Sequence, residues 1–415
     1  MRYILITLLT LTMVGLFFTC SRKTQQTMQR HSGAEIASIM ELPAGERINH
    51  FAFDLMKHIS SNNDNYVVSP FSISTALAMT YAGAREQTAL EMSNTLFFDP
   101  SQQNFHPAYR DYLLSLQEQA GEHVQLNIAN ALWAHEAYQF LPAFFSLAET
   151  YYQSRLNQVN FRGDREAIRL DINQWVYNQT REKIANLIAP SILTEDTRLV
   201  LVNAIHFLGQ WLSPFTEERT RKEVFRGMGG QEAETDFMRR TGYYSYAENN
   251  HMQVIDMPYQ GGQFSMVVVL PTEGTDISMV EETLTGFSFS NMLADMERTH
   301  VDLRLPRFEM ETSSDLEVLL AEMGMPTAFS KRADFSGMTG DDSLMIDKVI
   351  HKAMIDVKES GTEAAAATAV VMIMKTSIEP EPEKTVVFHA NRPFLFFIKD
   401  NRYNSILFMG RKGKA

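Results

Sequence analysis

The stretch GTEAAAATAVVMIMKTS, residues 361–377, does not fit one regular structure along its length. Four consecutive alanines follow a Thr-Glu pair, which favours a helix by intrinsic propensity. The VVMIM segment that comes next favours a strand, and a single basic residue, Lys375, ends it. The two halves therefore predict different structures, and the surrounding chain has to decide between them.

The composition is that of a globular protein, with 45% hydrophobic and 21% charged residues. A length of 415 residues permits one large domain or two to three small ones. The net charge of -13 argues against binding to the phosphate backbone of a nucleic acid. The basic run at residues 219–222 follows two glutamates, and we interpret it as a solvated surface stretch. We therefore expect no nucleic-acid partner.

Residues 1–20 have the pattern of an export signal. Arg2 is followed by an uncharged, mostly apolar run that ends at Cys20, the only cysteine of the chain. The sequence LFFTC at residues 16–20 resembles a bacterial lipoprotein signal, in which the cysteine is lipidated and becomes the first mature residue. Simple cleavage nearby and an uncleaved anchor are the alternatives. We expect an exported protein, tethered through Cys20 to a membrane surface of the cell envelope (periplasm or outer surface) or secreted.

The rest of the chain predicts one mixed α+β domain. Residues 21–42 are polar and are expected to form a tether, and residues 43–415 form the body. Helical periodicity begins at residues 48–59, and a second, almost wholly apolar helix is entered through the Ser-Pro pair at residues 69–70. Strand patterns follow at VQLNIANALWA, VLVNAIHFLG, QFSMVVVLP, VDLRLP, TVVFHANRPFLFFIKD and NSILFMGRK. Without repeats or a long linker in the body, a single domain is favoured.

The usual catalytic and metal-binding signatures do not occur in the sequence. The segment GFSFS lacks the second glycine of a nucleophile elbow, and HEAYQ is not a His-Glu-x-x-His zinc helix. No Gly-Lys-Ser/Thr phosphate loop occurs, and the histidines show no ligand spacing that indicates zinc. We therefore expect neither an enzyme nor a cofactor or metal, although a catalytic triad scattered in sequence stays open.

Several blocks along the chain resemble one protein family in their order and composition. The blocks are NHFAFDLMKHISSNNDNYVVSPFSISTALAMTYAGAREQTALEM (49–92), INQWVYNQTREKIANLI (172–188), LVNAIHFLGQWLSPF (201–215), ADFSGMT (333–339), VIHKAMIDVKESGTEAAAATA (349–369), ANRPFLFFI (390–398) and LFMG (407–410). Together they make the chain resemble a serpin over nearly all of residues 46–415. The resemblance implies a single-domain α+β fold with three β-sheets, about eight to nine helices, and an exposed reactive-centre loop at about residues 359–384.

The resemblance also implies a mechanism. Serpins are suicide substrates: a serine protease cleaves the exposed loop and, while still acyl-linked, is trapped as the loop inserts into the central sheet. The implied partner is a target serine protease in a covalent complex with a monomeric inhibitor. Elastase-like enzymes or cysteine proteases are further candidate targets. A non-inhibitory serpin fold used for binding or storage is the alternative function.

The hinge of such a loop has to become a strand, and its residues alternate between two faces. Six side chains of one parity are uncharged: Thr362, Ala364, Ala366, Thr368, Val370 and Met372. This face can be buried without an unpaired charge, while Glu363 has the opposite parity and can stay in water. Gly361 is the expected pivot, because glycine adopts the torsions of a turn that must unfold. The resemblance implies that the hinge comprises Gly361, Thr362, Glu363, Ala364, Ala365, Ala366 and Ala367.

The resemblance places the reactive bond about fourteen residues after the pivot glycine, between Lys375 and Thr376. A lysine before the cleaved bond fits the carboxylate-containing pocket of a trypsin-like protease. If cleavage shifts by a residue or more, elastase-like or chymotrypsin-like pockets would accept one of the alternative bait residues Val371, Met372, Ile373 and Met374. We therefore expect targets beyond trypsin-like enzymes as well.

Two further clusters are implied by the resemblance. Ser69, Ser72, Asn203 and His351 match the serpin "shutter", a polar cluster beneath the central sheet. Trp211, Arg307 and Glu359 match the "breach", where insertion begins. Without the resemblance, the shutter residues would be read as hydrogen-bonded core residues, Trp211 as an ordinary core side chain, and the two breach charges as unrelated surface groups.

Overall fold

The computed structural model describes residues 31–60, 63–121, 123–154, 156–362 and 384–415. The expected lipidation site Cys20 lies outside the described residues. By its contacts the chain divides into a small unit that ends at Ser38 and a main unit that runs from Ile39 to Ala415. Among the described helices, none is both long and apolar enough to cross a membrane.

The described residues contain eleven α-helices, more than the eight to nine expected. The excess consists of short helices, since α8 and α10 have seven residues each and α11 has four. The helices are α1 (Gly33–Met40), α2 (Ala44–Ile59), α3 (Pro70–Tyr81), α4 (Glu86–Leu96), α5 (Gln102–Gln119), α6 (Pro142–Tyr152), α7 (Arg165–Gln179), α8 (Ile277–Thr283), α9 (Gly286–Ala294), α10 (Glu317–Met323) and α11 (Ser336–Thr339). The first of them, α1, lies inside the segment that the sequence predicts to be a polar tether.

Helix α3 begins as its sequence predicts. The Ser69 side chain caps the helix by accepting a hydrogen bond from the Ser72 N–H, and Pro70 occupies the first turn, where no N–H is needed. All twelve residues of α3 are buried, because the helix is apolar or small on every side. Helices α2 and α3 pack against the C-terminal strand, and α3 also reaches the sheet that contains the candidate site.

Fifteen strands are found in the described residues. They are β1 (Tyr66–Val68), β2 (Val124–His135), β3 (Leu156–Val159), β4 (Leu199–Gln210), β5 (Arg221–Arg226), β6 (Glu232–Glu248), β7 (Met252–Pro258), β8 (Phe264–Pro271), β9 (Glu297–Pro306), β10 (Phe308–Asp315), β11 (Lys348–Lys358), β12 (Gly361–Thr362), β13 (Val386–His389), β14 (Phe394–Asp400) and β15 (Ile406–Lys412). Each strand pattern quoted from the sequence overlaps one or two of these strands. The chain is therefore of the α+β class, as expected.

The described strands form two hydrogen-bonded sheets, where three were expected. The larger sheet has the order β1-β15-β14-β8-β7-β6-β9-β13, with β5 paired to β6. The difference in count arises because β6, with 17 residues, pairs with β5 and β9 along most of its length and with β7 at its end, so it joins two halves into one network. The smaller sheet has the order β10-β11-β12-β4-β2-β3, and β11 also pairs directly with β4.

The smaller sheet is covered on both faces. On one face, residues of β4 and β11 belong to the main hydrophobic core, against which α3 packs. On the other face, α7 and the chain that follows it bury a second cluster, which includes Ile172, Ile188, Val202 and Ile350. A strand entering this sheet would therefore meet protein on both sides.

Candidate functional site

The candidate site is the boundary between β4 and β11, which we call the seam. From Lys348 to Met354, β11 pairs directly and in parallel with residues 200–206 of β4. Beyond this region β12 lies between the two strands and is antiparallel to both, so that Thr362 pairs with Val357 on one side and Gly209 on the other. The first two residues of the expected hinge thus already occupy one end of the seam.

Gly361 sits in a space that admits no side chain. A Cβ atom at this position would lie 2.0 Å from the Gly209 carbonyl oxygen and 2.8 Å from the Gln210 Cα. The sequence predicts a glycine here for its torsional freedom, and the structure adds the close approach of the β4 backbone as a second reason. The other expected hinge residues, Glu363, Ala364, Ala365, Ala366 and Ala367, lie outside the described residues.

Thr362 points into the core, on the face that the alternation predicts. Its side chain is fully buried, and its hydroxyl is hydrogen-bonded to that of Tyr259 at 2.7 Å. Burial raises the pKa of Tyr259 far above its ordinary value, with the Thr362 hydroxyl opposing the shift, so both groups are neutral at every physiological pH. The Tyr259 ring in turn stacks on Trp211, with centroids 4.5 Å apart. The inner face of the hinge is therefore met by an apolar, uncharged surface.

The structure brings together the three residues assigned to the breach. The Trp211 indole N–H donates to the Lys358 carbonyl at 2.9 Å, and the Trp211 backbone N–H donates to the Ser360 carbonyl at 3.0 Å. Arg307 Nε donates to both carboxylate oxygens of Glu359, at 2.6 and 2.7 Å. These contacts fix the end of β11 just before the chain turns into β12.

The charge of Glu359 is held by its partners. Burial alone would raise the pKa of this carboxyl, but hydrogen bonds from Arg307 and Thr220 outweigh burial and leave the pKa below its ordinary value. The Glu359 carboxylate in turn raises the pKa of Arg307, chiefly by accepting a hydrogen bond from its guanidinium. The buried side chain of Glu359 therefore stays ionised at the base of the expected loop.

The four shutter residues are fully buried and form one hydrogen-bonded chain across the seam. The Ser69 N–H donates to His351 Nε2 at 3.1 Å, and His351 Nδ1 contacts the Asn203 side-chain oxygen. Since Nε2 accepts, the proton of His351 is on Nδ1. The Asn203 amide donates to the Ser72 carbonyl oxygen at 2.8 Å, which fixes the orientation of the amide.

The bond between His351 and Asn203 is a side-chain hydrogen bond that joins β11 to β4 across the seam. Asn203 lies on β4, His351 lies on β11, and the two are register partners. Burial lowers the pKa of His351 to about 3, so the imidazole is neutral at physiological pH. The tie is therefore a neutral hydrogen bond in a dry environment.

Sequence reasoning missed two participants. Asn130 of β2 is the register partner of Asn203 and accepts a hydrogen bond from its amide. Asn130 is one of three polar residues in the strand VQLNIANALWA, with Gln125 and Asn127, and nothing in the sequence distinguished it from the other two. Tyr259, which supports both Trp211 and Thr362, carried no signal at all.

The reactive bond itself is not part of the described structure. Lys375 and Thr376 lie outside the described residues, as do the alternative bait residues Val371, Met372, Ile373 and Met374. Within the described ranges, no group of three or more His, Cys, Asp or Glu side chains could hold a metal ion. In the described arrangement, β12 lies between β4 and β11 at one end of the seam, and further along the two strands are joined by their backbone ladder and by side-chain bonds.

Comparison with known proteins identifies the family to which this chain is similar. The family model described as "Serpin (serine protease inhibitor)" matches residues 46–413. An uncharacterized serpin-like protein of Thermococcus kodakarensis is 39% identical over 371 residues, covering 89% of this chain and 85% of the relative. Human Serpin B4 is 39% identical over 380 residues, covering 87% of this chain and 96% of the relative.

Solved structures agree with the sequence relatives. Uncleaved ovalbumin superposes with a TM-score of 0.80 at 29% identity, covering 90% of this chain and all (100%) of that one. Tengpin, a thermophilic serpin in the native state, gives a TM-score of 0.80 at 27% identity, covering 90% of this chain and 94% of that one. The chain therefore belongs to the serpin family.

Proposed function

We propose that this protein is an irreversible inhibitor of serine proteases that traps its target by inserting the cleaved loop into the seam between β4 and β11. The description of the family as serine protease inhibitors supports the general activity. The observation that carries the proposal for this chain is the two-residue strand β12, which already pairs with both strands that would have to separate.

The pairing of β12 defines how insertion would continue. Thr362 faces Gly209 and Val357, so each following loop residue would face one residue earlier on both neighbours. Three steps on, residue 365 would face His206 and Met354, and these two are already partners in the closed part of the sheet. The two strands would thus need only to move apart, without sliding, to accept the loop in register.

The same register would bring Thr368 between Asn203 and His351. Insertion has to break the direct bond between these two side chains, which would leave buried polar atoms unsatisfied. Thr368 has the parity of Thr362, so its hydroxyl would arrive on the face where that bond is lost. We infer that this hydroxyl forms a hydrogen bond in place of the lost one and so lowers the free-energy cost of separating the strands at the shutter.

The proposed bait is the bond between Lys375 and Thr376, which a trypsin-like protease would cut. Fourteen residues of strand span roughly 46 Å, so insertion would carry an acyl-linked protease across a distance comparable to the length of the domain. Cleavage within residues 371–374 would leave most of the strand insertable. We therefore propose trypsin-like enzymes as first targets, with elastase-like serine proteases or cysteine proteases as further ones.

A ligand-binding role is the second candidate. A serpin-fold neighbour, thyroxine-binding globulin, has been solved as a complex with thyroxine, with a TM-score of 0.79 at 28% identity to this chain. The fold can therefore serve binding instead of inhibition. In that case the loop would be cut without trapping the protease.

The two functions are separated by mixing the protein with trypsin and running a denaturing gel. Inhibition predicts a protease–inhibitor band that survives boiling and disappears in Lys375→Glu, because the trypsin pocket requires a cation. Lys384→Glu is the matched control, since it reverses the charge of an exposed lysine at the C-terminal end of the loop, away from the proposed reactive bond, and should leave the band in place. Clean cleavage with trypsin activity fully retained would reject the proposal in favour of the binding role.

A further inference from the structure

The end of the seam far from β12 is closed by one carboxylate. Asp347 directly precedes β11, and its Oδ2 accepts the backbone N–H of Arg198 at 2.6 Å and that of Leu199 at 3.0 Å, at the start of β4. The Asp347 N–H donates in return to the Leu199 carbonyl at 3.1 Å. Three hydrogen bonds therefore cross the seam at this one level.

These bonds are not equivalent when a strand is inserted. The backbone bond between Asp347 and Leu199 belongs to the ladder, and an inserted strand would replace it with its own backbone groups. The two bonds to the carboxylate are made by a side chain, and no ladder bond can replace them. A half-buried carboxylate would therefore lose both of its backbone donors when the strands separate here.

The register identifies the loop residue that arrives at this level. Continuing the pairing of Thr362 with Gly209 and Val357, residue 372 would face Leu199 and Asp347. Residue 372 is methionine, whose side chain donates no hydrogen bond. The shutter level differs, because there a threonine hydroxyl would arrive to replace what is lost.

We propose that Asp347 is a positioning residue that clamps the far end of the seam and controls the last step of loop insertion. This inference rests on the proposed function. Insertion up to residue 371 leaves the clamp intact, whereas insertion of residue 372 and beyond has to break it. Asp347 thus acts on how completely, and how soon, an acyl-linked protease is carried to the far end of the sheet.

Two nested synthetic peptides test the clamp directly. One has the sequence of residues 362–371 and stops before the clamp, and the other has residues 362–374 and passes it. Both are labelled at the N-terminus and mixed with the intact full-length protein, and incorporation is followed by fluorescence anisotropy. Both peptides must displace the same strand β12, so they differ only at the far end of the seam.

We expect Asp347→Ala to speed incorporation of the longer peptide about tenfold, as the loss of hydrogen bonds to a charged group implies. Incorporation of the shorter peptide should stay within about twofold of the wild type. Asp347→Asn keeps one acceptor oxygen, so it should fall between the two and remains informative if the alanine variant fails to fold.

Asp315→Ala is the matched control. Asp315 pairs with Lys348 at 3.9 Å and belongs to β10, on the side of β11 that faces away from β4, so its loss leaves the seam bonds unchanged. Equal acceleration of both peptides by Asp347→Ala would show general destabilisation and overturn the proposal. No acceleration of the longer peptide, or no incorporation of either peptide, would overturn it as well. The assay contains no protease, so its result is separate from whether trypsin is trapped.

Discussion

At the scale of single residues, His351 has a structural role in the closed sheet and, in the proposed mechanism, a switching role as well. Its ring is fully buried and bonded on both nitrogens, to the Ser69 N–H and the Asn203 side chain. The bond to Asn203 joins β11 to β4, so the contact that stabilises the closed sheet would have to break if the proposed insertion opened the sheet. Since Nε2 accepts the Ser69 N–H, a proton on Nε2 would break this bond, and protonation of the ring is incompatible with this arrangement.

The shifted pKa of His351 predicts a pH dependence of stability. The pKa is about 3 in the folded protein, below the ordinary value of 6.5, so the unfolded chain binds more protons between these values. The contribution of this histidine to the free energy of unfolding is fully present above about pH 6.5 and is lost as the pH falls towards 3, by at most about 1.4 kcal/mol per pH unit. The urea midpoint, measured from pH 7 to pH 4, should decrease accordingly.

A variant isolates the histidine from other groups that titrate in the same range. Burial also lowers the pKa of His106 and of His206 to about 4, and both would add to the wild-type slope. The urea midpoint of His351→Gln should therefore decrease less steeply with falling pH than that of the wild type. His106→Gln, at a site away from the seam, is the comparison and should remove only the smaller contribution of His106. An unchanged slope in His351→Gln would mean that this ring is not the neutral, buried group described above.

At the scale of elements, β12 is the strand that would define the direction of insertion in the proposed mechanism. Its two residues are Gly361 and Thr362, and the Thr362 side chain is fully buried against Tyr259. The pairing partners on β4 and β11 are already matched in register along the closed seam. A short strand that fits both neighbours is the expected starting point for a longer one.

The alternation makes a prediction that a matched pair of variants can test. Thr362→Arg places a cation in the dry site under Tyr259, where an unpaired charge is strongly disfavoured, and insertion should fail to begin. We expect the fraction of trypsin found in the boiling-resistant complex to fall at least about tenfold, a change of about 1.4 kcal/mol in the competition between insertion and hydrolysis. Cleaved inhibitor should accumulate instead.

Glu363→Arg is the control for this prediction. It introduces the same side chain one residue further on, at a position of the opposite parity, where the charge can stay in water. This variant should trap trypsin about as well as the wild type. Equal losses in the two variants would contradict the alternation, and equal retention would contradict burial of the Thr362 position during insertion.

Local patterns were sufficient to predict many of the elements. The Ser-Pro entry and continuous apolar surface of α3 predicted both its start and its complete burial, and strands such as β8 and β14 followed from short apolar runs. Helix α1 was missed because its eight residues carry only one short apolar set at helical spacing, Ile36, Ile39 and Met40, within a polar segment. The short helices and the joining of sheets through β6 were missed because both depend on packing rather than on local sequence.

Local sequence patterns were equally insufficient to predict the candidate functional site. The shutter and breach residues were named only through a resemblance, since no local pattern indicates that Asn203 and His351, 148 positions apart, meet across two strands. Asn130, Tyr259 and Asp347 were not foreseen, because their importance comes from strand register. Register between strands distant in sequence is set by the whole fold, and a single sequence does not reveal it.

At the scale of the whole molecule, a fixed part and an opening part can be distinguished. Strands β8, β14 and β15 are buried along their whole length, and the buried pair Arg411–Glu281, at 2.7 Å, ties β15 to α8. The seam of the smaller sheet is different: β12 splits it at one end, and elsewhere the direct β4–β11 ladder and the side-chain bonds of His351 and Asp347 close it. Insertion would therefore change the smaller sheet and leave the larger one in place.

The central claim, that the cleaved loop becomes a strand of the smaller sheet, is tested most directly by thermal unfolding of the intact and the loop-cleaved protein. Insertion adds a full ladder of backbone hydrogen bonds on both sides of the new strand, so the cleaved wild-type protein should melt well above the intact one. Cleaved Thr362→Arg, which cannot begin insertion, should show no such increase. A cleaved wild-type protein that melts at or below the temperature of the intact protein would contradict the account.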